Sequence, residues 1–215
     1  MSSSSSSMLH VLTHPLVRHK LAFLRQHDTP IAVFRASVRE LSLLLAYETL
    51  EALPLRDATV LLPDGTQAAV ERMDEAQICF VPILRAGCGL LDGMLDLVPS
   101  ASVGHVGMQR HHVTLEAEEY YFKVPDHIHQ KCCIVLDPML ATGNSADAAI
   151  TRLKQAGAKN IIFACLIAAP EGVALLQKIH PDVRIITCSL DEKLDEKGYI
   201  VPGLGDAGDR FFGTD

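Results

Sequence analysis

Ile134-Val-Leu-Asp-Pro-Met-Leu-Ala-Thr-Gly-Asn-Ser145 is the stretch on which the fold turns. A short apolar run ends in an acid, Asp137. A small polar loop follows, and helix-forming residues begin near Ser145. A strand that is apolar on both faces reads as an interior strand of a parallel sheet, with helices covering both sides. The same unit recurs outward from this stretch. Apolar runs occupy 78–84, 103–108, 132–136, 161–168 and 185–190. Helical segments at 90–97, 145–156 and 172–179 lie between most of them. Such alternation implies an α/β domain with a mainly parallel sheet and helices on both faces. Ligands of such sheets gather at the carboxyl ends of the strands. Asp137 and the loop after it lie at one of those ends.

The chain before residue 77 reads differently. A short helix is predicted over 15–27. Leu41, Leu44, Leu45 and Leu50 recur at helical spacing and predict a longer one over 30–52. Thr29 is its expected cap, with Pro30 in the first helical position. Segments 59–62 and 67–71 flank Pro63-Asp-Gly-Thr66, which predicts a hairpin. Residues 109–131 are polar, carry both charge signs and lack helical period, so a mobile excursion or hairpin is expected there. The serine run 2–7 has neither the basic nor the apolar region of a signal peptide, and a mobile tail is expected. Residues 8–215 then form a single domain.

Composition narrows the function. The 215 residues carry 19 Lys and Arg against 26 Asp and Glu, a net charge of −7. An acidic chain has no overall attraction for nucleic acid or anionic membranes, so any anion must be held by a local site. No apolar stretch approaches the roughly 20 residues that span a bilayer. Five of the six cysteines lie in apolar runs and there is no C-x-x-C, which fits a reducing, cytoplasmic setting better than a disulfide framework. His127, His129, Cys132 and Cys133 cluster in sequence. Adjacent residues of a strand point to opposite faces, so Cys132 and Cys133 are not expected to close one metal site.

The loop Ala141-Thr-Gly-Asn-Ser145 offers consecutive backbone N–H groups, two hydroxyls and a helix N-terminus. Those are the parts of a phosphate cradle. They are equally the parts of an ordinary capped strand–helix turn. The loop is not a P-loop, since no Lys follows the glycine. An acid before a Thr-Gly turn suits a ribose phosphate, with the carboxylate on the hydroxyls and the amides on the phosphate. Gly203-Leu-Gly-Asp-Ala-Gly208 fits a dinucleotide fingerprint by letter only, because Pro202 precedes it and seven residues follow. Gly87-Cys-Gly-Leu-Leu-Asp-Gly93 does follow a strand, but its third glycine falls one place late.

Taken together, these motifs resemble the uracil phosphoribosyltransferases, a branch of the type I phosphoribosyltransferases. Residues 134–145 resemble that family's loop for phosphoribosyl pyrophosphate (PRPP), in the Asp-Pro-Met-Leu-Ala-Thr-Gly form. Val81-Pro-Ile-Leu-Arg-Ala-Gly87 is similar to its pyrophosphate loop, and Val106-Gly-Met-Gln-Arg110 to the start of its flexible loop. Gly198-Tyr-Ile-Val-Pro-Gly-Leu-Gly-Asp-Ala-Gly-Asp209 is similar to its uracil-binding segment, and His14-Pro-Leu-Val17 to an N-terminal signature. The resemblance runs from about residue 8 to the end.

It implies a type I phosphoribosyltransferase fold, with a hood from the N-terminal helices and residues 191–215. It implies PRPP contacts from Arg85, Ala86, Gly87, Arg110, Asp137, Pro138, Met139, Leu140, Ala141, Thr142, Gly143, Asn144, Ser145 and Asp206. Uracil would be read largely by the main chain of Ile200, Gly205, Asp206 and Ala207. Arg110 and Asp206 would be the catalytic pair. Mg²⁺ would be carried mainly by PRPP rather than by a dedicated protein site. Relatives are commonly dimers or larger, a tetramer included, and some respond to GTP.

The family's loop usually reads Thr-Gly-Gly-Ser, and here Asn144 replaces the second glycine. Asn tolerates left-handed backbone better than most residues, so retained activity with weaker PRPP binding is expected. Two other classes remain as rivals: an RNA-binding regulator on the same fold, and an oxidoreductase using the 87–93 glycines. The first lacks a basic stripe, and the second lacks the glycine spacing.

Overall fold

The computed structural model describes residues 8–51, 53–110 and 117–214, without the side chains of residues 109, 110 and 117. The 2–7 tail and the predicted helix end at 52 lie outside the described residues. In chain order the strands are β1 (Leu9–Val11), β2 (Leu55–Leu61), β3 (Gln67–Met73), β4 (Ile78–Leu84), β5 (Ser102–Val103), β6 (His105–Arg110), β7 (Ala117–Lys123), β8 (Cys132–Leu136), β9 (Met139–Leu140), β10 (Asn160–Ala168), β11 (Arg184–Leu190), β12 (Lys193–Leu194) and β13 (Ile200–Val201). The helices are α1 (Pro15–Arg25), α2 (Ile31–Leu50), α3 (Cys88–Leu97), α4 (Asn144–Gln155), α5 (Pro170–Ile179) and α6 (Ala207–Phe212).

The main sheet runs β1-β11-β10-β8-β4-β6-β7, with β5 beside β4 and β9 beside β10. Its pairings are parallel except β6–β7, which is an antiparallel hairpin. The apolar runs became interior strands because both faces are covered. Side-chain alternation sends Ile78 and Phe80 of β4, with Cys132, Ile134 and Leu136 of β8, into one layer under α1, α2 and α3. Cys79, Val81 and Ile83, with Cys133 and Val135, enter the other layer under α4 and α5. Each fully buried Leu, Ile or Phe contributes roughly 1.5–3 kcal/mol to that core. Cys132 and Cys133 thus part company across the sheet, as strand geometry required.

The N-terminal helices correct one expectation. Thr29 does not cap α2. Pro30 occupies the N-cap position, with no side-chain cap bond. The Thr29 hydroxyl instead donates to the Phe23 carbonyl at 2.6 Å, one of the carbonyls left over where α1 ends. At the other end of α1, His14 Nδ1 accepts from the Leu16 N–H at 3.1 Å, and Pro15 holds the first helical position. β2 and β3 form the expected hairpin as a separate two-stranded sheet. Asp64 Oδ1 accepts from the Thr66 N–H at 2.9 Å, and Gly65 takes the positive φ of 84° in its turn.

Candidate active site

Three of the four motif segments meet where parallel strands end. The first is the turn from β4 into α3, residues 85–87, entered through a cis Leu84–Arg85 peptide. Gly87 is required there. A Cβ would overlap the Leu136 carbonyl oxygen and lie 2.7 Å from the Ile83 backbone. The turn is thus pressed against the end of β8, beside Asp137. The Arg85 side chain is largely exposed, with Nη2 3.4 Å from Asp209 Oδ1 and its guanidinium 5.7 Å from the Phe212 ring centre. Arg85 thus sits in a surface ion pair. A pair at that distance is loose and can release Arg85 to a stronger anion.

Asp137 follows the last residue of β8. It is only partly exposed, at the carboxyl end of the strand. Burial pushes its carboxyl up to about 7, opposed by the Met139 N–H, which donates to Oδ1 at 3.4 Å. Its carboxyl has one weak donor among the described residues, and burial disfavours its charged form. Pro138 and Leu140 are buried, while Met139 and Ala141 are half-buried. The Pro138 carbonyl accepts from Leu166 and Ile167, and β9 pairs with β10. These bonds fix the segment from both sides.

The phosphate-loop candidate then turns over α5. A Cβ on Gly172 would overlap the Ala141 carbonyl, so the loop lies directly on the first turn of α5. Gly143 caps α4 with φ 88° and ψ −8°, a left-handed backbone that favours glycine. Asn144 begins α4 and is exposed, as is Ser145, while Thr142 is half-buried. This removes one reason for concern about Asn144. The left-handed residue is Gly143, so Asn144 needs no unusual backbone. The first amides of α4 have no intrahelical acceptor, and a helix end of that kind favours an anion.

The third segment is 198–209. Gly198 approaches the phosphate loop, since a Cβ there would lie 3.8 Å from Thr142 Cγ2. Ile200 is buried in β13, paired with Leu194 of β12. A cis Val201–Pro202 peptide follows, then Gly203 and Gly205 with φ of 65° and 75°. Asp206 caps α6, its Oδ1 accepting from the Asp209 N–H at 3.0 Å. Ala207 and Gly208 are buried, and a Cβ on Gly208 would lie 3.7 Å from the Ala86 Cβ. Met139, Asp195, Tyr199 and the backbone turn 200–205 line a cleft of about 330 Å³. A smaller groove of about 140 Å³ at the opposite, amino-terminal edge of the sheet is lined by Ile78, Cys132 and Asn160 and is remote from these segments.

Arg110 ends β6, the next parallel strand beside β4, so its backbone joins the same edge. Its side chain, like His111 and His112, lies outside the described residues. Both glycine decoys are explained by packing. Gly93 faces α2, where a Cβ would lie 2.5 Å from the Ser42 Cβ. Gly203, Gly205 and Gly208 precede or open a helix of only six residues.

The sequence reading missed the side chains that hold the third segment. Arg25 at the end of α1 pairs with Asp191 after β11, at 2.6 and 2.7 Å. Burial pushes the Asp191 carboxyl up, but Arg25, Ser189 and the Gly203 N–H outweigh it and hold the carboxyl below its usual range. Arg210 donates to the carbonyls of Leu204 and Gln26 at 2.7 Å and to that of Leu24, and stacks 4.5 Å above Phe34. These pairs span up to 186 positions in sequence. No local signal announces them.

An acid and a helix-end phosphate loop after one strand, beside a glycine turn after its neighbour, define a type I phosphoribosyltransferase. The family profile described as uracil phosphoribosyltransferase matches residues 11–214. The chain belongs to the uracil phosphoribosyltransferase family. It is 56% identical to the uracil phosphoribosyltransferase of Agrobacterium fabrum over 205 residues, covering 95% of this chain and 97% of that one. Identity to the enzyme of that name from Streptococcus pneumoniae is 52% over 206 residues, 96% and 98% of the two chains. A solved structure of a protein from Aquifex aeolicus superposes with a TM-score of 0.92 at 38% identity, covering 96% and 99%. No helix among the described residues is long and apolar enough to cross a membrane.

Proposed function

We infer that the chain transfers the phosphoribosyl group of PRPP to N1 of uracil, giving UMP and pyrophosphate. The observation that carries this reading is the convergence of segments 85–87, 137–145 and 198–208 on one sheet edge, where Gly87 packs against Leu136, Gly198 lies near Thr142 and Gly208 near Ala86. Asp137 would accept hydrogen bonds from the ribose hydroxyls. The amides of residues 141–145, with the Thr142 and Ser145 hydroxyls, would hold the 5′-phosphate. Arg85 would exchange Asp209 for the pyrophosphate, and Arg110 would add a second cation. A guanidinium fork suits both contacts. Uracil would lie in the 200–207 turn, where backbone donors and acceptors match its acceptor–donor–acceptor edge. Cytosine reverses one of those requirements and would leave a buried group unpaired.

The leaving pyrophosphate departs as N1 approaches, through an oxocarbenium-like state at C1. No protein nucleophile is required. Positioning and charge stabilisation do the work. Mg²⁺ would neutralise the substrate's phosphate charge, with Asp206 placed to meet the metal–PRPP complex. An ion that keeps several waters and takes one or two carboxylates besides substrate phosphates suits an exposed Asp206. Asp206→Ala should lower kcat/KM for PRPP at least a hundredfold. Turnover at the wild-type level would remove Asp206 from the site.

Self-association and activation by GTP belong to the same proposal. The β2–β3 hairpin pairs only with itself and sets Ala58 and Val60 beside Val70 and Ala68 on one half-exposed face. An isolated hairpin is marginal without a covering surface, which supports a homo-oligomer covering it. Light scattering on wild type and Val60→Asp tests this. Adding GTP to the activity assay tests the activation that the resemblance implies.

A further inference from the structure

The base-binding turn has a feature that backbone recognition makes consequential. When a base is read by main-chain atoms, no single rotamer sets the specificity. Whatever fixes the backbone sets it instead. In this chain both peptide groups of Gly203 are held by one buried ion pair. Its N–H donates to Asp191 Oδ2 at 3.0 Å. Its carbonyl accepts from Arg25 Nη1 at 2.7 Å. The same Arg25 nitrogen reaches Asp191 Oδ2 at 2.7 Å, while Nη2 reaches Oδ1 at 2.6 Å and Ser189 Oγ at 3.2 Å. Ser189 Oγ donates to Asp191 Oδ1 at 2.8 Å. The Asp191 side chain is only 2% exposed. The next carbonyl, that of Leu204, is held by Arg210.

Gly203 is therefore clamped by Arg25 at the end of α1 and by Asp191, and Leu204 by Arg210 of α6, which also bonds the Leu24 and Gln26 carbonyls. The N–H groups of Gly205 and Asp206 have no acceptor among the described residues. They are left to face a ligand in an orientation that the clamp dictates. Gly203 tolerates no side chain, since its φ is 65° and a Cβ would overlap the Ile200 carbonyl. A buried ion pair is a poor way to gain stability, because desolvation offsets much of its attraction. Its three-way use of one guanidinium fork on Asp191 and the Gly203 carbonyl points to geometry as its purpose.

We propose that Arg25 and Asp191 are positioning residues for base recognition, acting through the peptide groups of Gly203. The proposal rests on the reading of the 200–207 turn as the uracil site. The test is steady-state kinetics of Arg25→Lys, Arg25→Met and Asp191→Asn, with PRPP affinity measured separately by calorimetry. KM for uracil should rise tenfold or more in each, with the PRPP dissociation constant within twofold of wild type. Arg25→Lys keeps a charge beside Asp191 but lacks the fork, so it decides the matter if Arg25→Met does not fold. A uracil KM that is unchanged in folded Arg25→Lys, or a parallel loss of uracil and PRPP affinity, overturns the positioning role. Wild type that makes no UMP overturns the functional reading as well, and so the two failures are told apart.

Discussion

Asp137→Asn should make the free protein more stable above neutral pH while stopping turnover. The carboxyl ordinarily titrates at 3.8 and burial raises it to about 7 in the folded chain. At about 1.4 kcal/mol per pH unit, that difference comes to about 4 kcal/mol. Asp137 is partly exposed, so solvent screening reduces the effect to about 1–3 kcal/mol. The sign follows from proton binding. The folded chain holds this proton to higher pH than the unfolded chain does. Stability is therefore lost as pH rises from about 4 to about 7, and the loss is constant above that. Asn carries no such cost. Urea denaturation at pH 5, 6, 7 and 8 should show the variant gaining about 1–3 kcal/mol on wild type across the series. In wild type, KM for PRPP should fall as pH rises through 7, because the carboxylate accepts the ribose hydroxyls. A stability gap that does not change with pH, or that narrows as pH rises, would refute the burial argument.

Gly143→Ala should lower stability by about 2 kcal/mol from left-handed strain alone, and PRPP affinity by tenfold or more. A Cβ there would also stand 3.0 Å from Leu175 Cδ2. Asn144→Gly, by contrast, should cost under about 1 kcal/mol of helix propensity and leave PRPP affinity within twofold, which calorimetry can check. A tenfold gain would show that the Asn side chain obstructs the phosphate. Thiol titration of the native chain should find Cys88 reacting first. Cys133 and Cys165 are buried and pushed up to about 12, so they should react only on unfolding.

Much of the sheet was legible because its interior strands are continuous apolar runs. The expected bounds 78–84 and 132–136 coincide with β4 and β8, where burial on both faces leaves no room for polar residues. The 59–62 and 67–71 hairpin was legible from its turn chemistry, although β2 begins at Leu55 and stops at Leu61, one residue short, and β3 runs on to Met73. β9, β12 and β13 were not, since two residues carry no period. The Thr29 cap failed because a hydroxyl near a helix end has competing carbonyls, and only the packed α1 supplied one. The phosphate loop and Asp137 lie in one continuous stretch and could be read locally. Arg25, Asp191 and Arg210 could not, because charge pairs that join distant positions exist only once the chain has folded. Asn144 shows the reverse case: the substitution was visible, but which loop residue takes the positive φ was not.

The chain's net charge of −7 opposes a polyanionic substrate, so activity on PRPP must arise from the local site alone. Radiolabelled uracil incubated with PRPP and Mg²⁺, scored for UMP, tests this directly, with cytosine and orotate as parallel substrates. UMP from uracil, and no nucleotide from the other two, is the predicted result. No UMP from uracil, or comparable product from cytosine, would contradict it.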